Sequence, residues 1–167
     1  MEDIIKSERL DDILRRIGSA LWVLQKLESQ AAIYYLIRIK AKTGMGFEKG
    51  TELLIKHNKK TFGTTLRALG SSDVLPKDLQ DKLKNILFER NWLAHESSVQ
   101  GYVAIDTEIG TIEFVQRIEN IKFEGLSLMK SLLELTTDHV EGLGLTQEKI
   151  NRGLQMAQEI WFDKEII

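Results

Sequence analysis

Apolar side chains recur every three or four residues along two long stretches of the chain. In the first stretch, residues 8–42, they stand at Leu10, Ile13, Ile17, Ala20, Leu24, Leu27, Ala31 and Tyr34. In the second stretch they stand at Phe114, Ile118, Ile121, Gly125, Leu128, Leu132 and Leu135. Alternating steps of three and four residues keep each seam on one face of a helix, so two long helices are predicted. Trp22 and Tyr35 lie off the first seam and predict a second buried face there.

Four shorter helices are predicted around these two. Two of them lie near 48–58 and 61–69, and a third begins at Pro76 and runs to about Ser97. Proline is tolerated at the first helical position because the N–H of that residue has no partner within the helix. Thr146 is a candidate cap for a last helix. Residues 99–110 leave open a short extended segment or a small hairpin.

The predicted fold class is all-α: an antiparallel helical bundle of about five to six helices, whose long seams bury against one another. A chain of 167 residues fits a single domain, residues 1–167, with an ordinary hydrophobic core. No internal repeat or linker divides it. Seams this regular also suit dimerisation of helix against helix.

Composition narrows the class of protein. With 43% hydrophobic residues, 29% charged residues and one proline, the chain is typical of a soluble globular protein. The absence of cysteine excludes disulfides, thiolate zinc sites and cysteine nucleophiles. The first residues are acidic where a signal peptide is basic, and the longest apolar run, residues 31–37, is too short to span a bilayer. We therefore expect a cytoplasmic protein without a membrane partner.

Charge is unevenly distributed although the net charge is only −2. Residues 49–99 carry nine basic and six acidic side chains, whereas residues 100–167 carry six basic and twelve acidic ones. A polyanion is expected to approach the middle of the chain. Ordinary clustering of solvated surface charge accounts for the same counts.

The glycine loop and the scattered histidines predict no cofactor or metal site. The loop at residues 44–51 has the order Lys-Gly-Thr after a helix, whereas a phosphate-binding loop has Gly-Lys-Ser/Thr after a strand. A plain connection between helices is favoured. The three histidines lack the spacing that clusters metal ligands. Lysines surround His57, which predicts an exposed side chain, and His139 lies near a helix end, where the helix dipole favours a cation.

Residues 87–96, with the sequence LFERNWLAHE, are different because Arg90, Asn91 and His95 interrupt an apolar helix. Asn91 and His95 are four residues apart, so the amide lies close enough to orient the imidazole. Arg90 is five residues from His95, about 140° round the helix. The two side chains therefore do not converge within one helix. A second copy of the helix across a two-fold axis would bring them together, which favours a composite site in a dimer.

These three residue types suit the cleavage of RNA. Imidazole exchanges a proton near neutral pH, the guanidinium fork matches a phosphate, and asparagine can fix the tautomer of the histidine or bind substrate. The RNA supplies its own nucleophile, the 2′-hydroxyl, so the reaction needs no metal. The competing interpretation is structural: Arg90 pairs with Glu89, Glu96 or another acid, and His95 is an ordinary helix-end residue.

The segment Arg90-Asn91-Trp92-Leu93-Ala94-His95 resembles the signature of HEPN-domain proteins, which is an arginine, a polar residue and a histidine a few positions later. Residues 61–66 and the helix start at Leu75-Pro76 also look like small bacterial members of that superfamily. The resemblance implies a helical bundle that homodimerises through the motif helices. It also implies a metal-independent endoribonuclease that leaves 2′,3′-cyclic phosphate ends, often a toxin or a phage-defence effector. Arg90 and His95 would carry catalysis, with Asn91 in support.

One position departs from part of that family. Some toxin members have a tyrosine two residues after the histidine, which a partner nucleotidyltransferase modifies, whereas Ser97 stands there in this chain. An antitoxin of that kind is a possible partner besides RNA. The resemblance also allows a non-catalytic HEPN-like module that binds a partner protein or a nucleotide. A third interpretation is a purely structural dimer, built on the seam of residues 10–34.

Overall fold

The computed structural model describes residues 2–42, 45–58, 60–144 and 148. Within these ranges the chain forms six α-helices and no strand, so the predicted all-α helical bundle is confirmed. The helices are α1 (Glu2–Tyr35), which continues into a π-helical segment (Leu36–Lys40), α2 (Phe47–Asn58), α3 (Phe62–Gly70), α4 (Lys77–His95), α5 (Ser97–Ala104) and α6 (Glu108–Gly142). No helix in the described ranges is long and apolar enough to cross a membrane.

The two longest helices, α1 and α6, form the centre of the molecule, and the predicted seams are the buried faces. They run in the same direction, because contacts advance together along both, so the predicted antiparallel arrangement is wrong for this central pair. Arg16 pairs with Glu119 at 2.7 Å, and Arg38, just beyond α1, contacts His139 at 2.6 Å. Between these points, a Cβ at Gly125 would stand 3.1 Å from a methyl group of Val23. Glycine at this position therefore allows the two helices to approach closely.

Helices α3 and α4 form an antiparallel pair beside this centre. Thr61 caps α3 by accepting a hydrogen bond from the Thr64 amide at 3.3 Å. α4 begins at Lys77, with Pro76 as its extended N-cap, one residue later than predicted. The Tyr34 hydroxyl donates to the Val74 carbonyl at 2.7 Å, which anchors the entry to α4 on the end of α1. From there α4 runs back along α1 and α6.

The segment after α4 is helical, so the hairpin considered for residues 99–110 is wrong. Ser97 and Gly101 face the core, where the Ser97 hydroxyl donates to the Leu93 carbonyl at 2.6 Å. A Cβ at Gly101 would stand 3.3 Å from the ring of Phe114, so this glycine lets α5 lie against α6. Thr107 then caps α6 by accepting from the Gly110 amide at 3.0 Å.

The two aromatic residues off the first seam have different environments. Tyr35 is buried, as predicted, and stacks on the ring of His57 with centroids 4.5 Å apart. Trp22 is 61% exposed, so its predicted burial is wrong; Lys26 lies 5.2 Å from the centre of its ring. The last predicted helix, from Thr146, falls outside the described residues except at position 148.

Candidate functional site

One side of the motif in α4 is packed against α6. Glu89 accepts two hydrogen bonds from Arg117, from Nε at 3.0 Å and from Nη2 at 3.3 Å. The same guanidinium lies 3.5 Å from the centre of the Trp92 ring. Trp92 is itself buried, and its indole N–H donates to Gln100 at 3.0 Å. Glu89 and Trp92 are therefore structural residues, although Glu89 directly precedes the motif and Trp92 stands inside it.

Arg90 is directed to a different helix. Its Nε donates to Oε1 of Glu28 in α1 at 2.9 Å, and one third of its side chain is exposed. Among the described residues this is the only hydrogen bond that the guanidinium makes. The sequence left open a partner acid for Arg90, and that acid is Glu28 rather than Glu89 or Glu96. Within the described residues the two terminal nitrogens have no hydrogen-bond acceptor, and guanidinium nitrogens of this kind can bind a planar or tetrahedral anion.

Asn91 and His95 lie on the solvent side of α4. Both are exposed, and His95 is the last residue of the helix. Phe88, on the same strip by helical spacing, is 65% exposed. No hydrogen bond joins the Asn91 amide to the His95 ring in the part of the chain that the structure describes. The imidazole is thus accessible but not oriented by Asn91 within the single chain.

The three predicted site residues do not converge within one chain. Arg90 faces α1, whereas His95 lies about 140° further round α4 and faces solvent. Asn91, about 100° from Arg90, stands between them. A single chain therefore presents these groups along the outer surface of one helix and does not enclose them in a cleft.

A cavity of about 280 Å³ beside the Arg90–Glu28 pair was not predicted from the sequence. It lies between α1 and the adjoining ends of α2 and α3, and it is lined by Gln25, Glu28, Ser29, Ala32, His57, Lys60, Phe62 and Thr65. We call it the Glu28 cavity. Its lining residues come from separate segments of the chain, so no local motif in the sequence marks it.

His57, expected to be exposed, is 4% exposed, so that expectation is wrong. Its ring stacks on Tyr35, and its Nε2 lies 3.0 Å from the hydroxyl of Thr65. Burial lowers the pKa of His57, and the positive charges of Lys60 and Lys40 lower it further. The neighbouring lysines therefore act electrostatically on a buried, neutral imidazole.

A more open cavity of about 540 Å³ lies at the opposite end of α4, beside Pro76, Asp138 and His139. Arg38 Nη1 lies 2.6 Å from His139 Nδ1, so the imidazole nitrogen accepts this hydrogen bond. Burial lowers the pKa of His139, and Arg38 lowers it further. The C-terminal end of α6 was expected to favour a positively charged His139. In the structure the positive charge beside that end belongs to Arg38, and the His139 ring accepts a hydrogen bond from it.

Within the described ranges, no three His, Cys, Asp or Glu side chains lie close enough together to hold a metal ion. The chain was compared with protein-family models, with curated proteins and with solved structures, and none of them matches it.

Proposed function

We propose that this protein is a metal-independent endoribonuclease of the HEPN type, which acts as a homodimer with Arg90, Asn91 and His95 at its site. The observation that carries the proposal is the outer surface of α4. There a half-buried arginine makes its one hydrogen bond to a described residue through Nε, and an accessible asparagine and histidine follow on the solvent side of the same helix. These are the groups needed to bind a phosphate and to move a proton.

The reaction follows from the chemistry of these groups. The His95 imidazole takes the proton of a 2′-hydroxyl, and the 2′-oxygen then attacks the adjacent phosphorus. The bond from phosphorus to the 5′-oxygen breaks, and an imidazolium returns a proton to that oxygen. The products are a 2′,3′-cyclic phosphate and a free 5′-hydroxyl. Arg90 stabilises the charge that develops on the phosphoryl oxygens, and Asn91 orients the imidazole or the substrate.

In the proposed dimer a second copy of the chain brings together Arg90 and His95, which lie apart within one chain. Phe88 is 65% exposed on the same strip of α4 as Asn91 and His95, and pairing of two such strips would cover it. Around a two-fold axis each contact occurs twice, so Arg90 of each copy would approach His95 of the other. In a cell, such an enzyme would restrain growth or phage infection, with an antitoxin as its partner.

The test is cleavage of several RNA classes by the purified protein in EDTA, with analysis of the product ends. We expect 2′,3′-cyclic phosphate ends, and we expect His95→Ala to slow cleavage by about a hundredfold or more. The matched control is His139→Ala, which changes the other partly accessible histidine. Both variants should melt at similar temperatures. Undiminished cleavage by His95→Ala would exclude His95 as the catalytic base.

A non-catalytic binding module is the second candidate. The observation that favours it is the separation of Arg90 from His95 within the chain, together with the Arg90–Glu28 pair. Such a module would bind RNA or a nucleotide through Arg90 and release it unchanged. Retention of RNA without any cleavage, across the same RNA classes, would favour this candidate over the ribonuclease.

A further inference from the structure

The Glu28 cavity adjoins the arginine of the proposed site. Glu28 forms part of its wall and also accepts the hydrogen bond from Arg90 at 2.9 Å. A group bound in the cavity against this carboxylate therefore lies next to the residue that holds the Arg90 guanidinium. No residue of the motif lines the cavity itself, so its link to the motif is the hydrogen bond from Arg90 to Glu28.

The lining combines two flat or small apolar side chains with hydrogen-bonding groups. Phe62 and Ala32 are each 4% exposed and supply apolar surface. Glu28, with 25% of its side chain exposed, supplies a carboxylate of which only Oε1 is bound to Arg90. Ser29 stands at the accessible edge, and Lys60 adds a positive charge there. This is the lining expected for a ring system with polar edges and a phosphate attached to it.

The size of the cavity limits its ligand to one small ring system. Ligand sites commonly enclose about 300–1,000 Å³, and the volume here is about 280 Å³. One planar heterocycle fills a space at the lower end of that range. A larger ligand would have to continue outside the cavity, toward Lys60 or toward Arg90.

We infer that the Glu28 cavity binds one amino-bearing nucleobase of the RNA, adenine, cytosine or guanine, next to the phosphate held by Arg90. This inference rests on the proposed ribonuclease function and gives it a base preference. A carboxylate accepts hydrogen bonds only, so it selects a base edge that presents N–H donors. Uracil presents a single N–H between two carbonyl groups, and one of those oxygens would lie against Glu28. Uracil is therefore the disfavoured base.

A free nucleotide has the same chemistry as a nucleotide within RNA, and the two differ in the number of phosphates. RNA carries a phosphate on both sides of the bound base, so it can engage Lys60 and Arg90 together. A mononucleotide has one phosphate. We therefore expect an RNA tetranucleotide to bind more tightly than the mononucleotide of the same base.

The experiment measures binding of the four ribonucleoside monophosphates and one tetranucleotide by ligand-observed NMR. Ser29→Phe fills the accessible edge of the cavity, and Ser127→Phe makes the same change at an exposed position of α6. We expect Ser29→Phe to weaken binding of AMP, CMP and GMP by about tenfold or more and Ser127→Phe to leave it unchanged. Equal binding by both variants, or no binding of any nucleotide to the unmodified protein, would overturn the inference.

Glu28→Gln tests the selection of the base without relying on affinity alone. An amide donates as well as accepts, so it no longer opposes a uracil carbonyl. We expect the ratio of GMP to UMP affinity to fall by about tenfold, toward one. An unchanged ratio would contradict the role of the carboxylate. The cleavage assay is separate: nucleotide binding without cleavage refutes the ribonuclease alone, whereas cleavage without this binding refutes the cavity as a base site.

Discussion

Glu89 and Arg90 are neighbours on α4, and each forms an ion pair with another helix, but the two pairs differ in kind. Arg117 of α6 binds Glu89 through two nitrogens and covers the Trp92 ring at 3.5 Å. Arg90 binds Glu28 of α1 through Nε alone. Consecutive residues on a helix point in directions about 100° apart, so the two side chains contact different helices. In the first pair both an edge and the face of the guanidinium make contacts. In the second pair Nε makes the one hydrogen bond that joins this guanidinium to a described residue.

Because their contacts differ, the two ion pairs contribute differently to the stability of the fold and to the binding of a ligand. All four side chains are partly exposed, so each ion pair contributes at most about 1 kcal/mol to stability. Stacking of Arg117 on Trp92 adds about 0.5–1 kcal/mol. The Glu89–Arg117 pair therefore stabilises the packing of α4 against α6. The Arg90–Glu28 pair contributes less to folding and instead orients a cation at the surface.

Replacement of each arginine by lysine is the most direct way to distinguish the two ion pairs. Lysine keeps the charge but lacks the planar fork. Arg90→Lys is expected to reduce RNA cleavage by about a hundredfold, with little change in melting temperature. Arg117→Lys is expected to lower the melting temperature and leave the cleavage rate per folded molecule unchanged. Cleavage rates with thermal unfolding distinguish the two, and equal losses of activity would contradict the assignment of Arg90.

The outer strip of α4 can be tested through Phe88. A charge placed there should raise the dissociation constant of the dimer by about tenfold or more, because an apolar contact is replaced by a desolvated carboxylate. Sedimentation of Phe88→Asp over a range of concentrations measures this. Phe123→Asp is the matched control, since Phe123 is 67% exposed on α6. Dissociation by Phe123→Asp instead would place the dimer contact on α6.

Double-mutant cycles measure the coupling energy within each of the two ion pairs. We expect Glu89→Gln with Arg117→Gln to give a coupling of about 1 kcal/mol, and Glu28→Gln with Arg90→Gln to give about 0.5 kcal/mol or less. The free energy of unfolding in urea supplies the four values for each cycle. A larger coupling for Arg90 than for Arg117 would reverse the assignment of structural and binding roles.

The pH dependence of stability should reflect the burial of His57, and the change is modest. Burial lowers the pKa of His57, followed by the charges of Lys60 and Lys40, so the unfolded chain takes up a proton there before the folded chain does. Stability present above about pH 6.5 is therefore lost as the pH falls through that value, with a slope of at most about 1.4 kcal/mol per unit.

The measurement is urea unfolding between about pH 7.5 and pH 5.5, near the ordinary pKa of histidine. His57→Asn should reduce the loss of stability on acidification, whatever its effect on stability at neutral pH. His139→Asn is a necessary companion, because the pKa of His139 is also lowered by burial and by Arg38. A slope unaffected by His57→Asn would refute the role of the buried imidazole.

The long helices could be predicted because their information is local. The seams that begin at Leu10 and Phe114 repeat for many turns, and they are the buried faces of α1 and α6. The helix α5 was missed because it has only eight residues, and Val99, Tyr102 and Val103 are β-branched or aromatic side chains typical of strands. Its buried positions, Ser97 and Gly101, are small residues that carry no apolar periodicity.

The sequence predicted only the part of the candidate site that lies on α4. The spacing of Arg90 and His95 gives their angular separation, since both lie on α4. Glu28, which holds Arg90, is 62 residues away in the chain, and nothing in the sequence pairs them. His57 was misjudged for the same reason: its lysine neighbours are visible in the sequence, whereas the Tyr35 ring that buries it is not.

The parallel pairing of α1 with α6 has a consequence for synthesis of the protein. Arg16 and its partner Glu119 are 103 residues apart, so at about 5–20 residues per second the ribosome makes α6 about 5–20 s after α1. During that interval the apolar seam of α1 lacks its main cover. A nascent chain that ends between α5 and α6 already carries Arg90, Asn91 and His95, yet it lacks the helix that binds Glu89. The ion pair that joins α4 to α6, between Glu89 and Arg117, therefore forms only after α6 has left the ribosome.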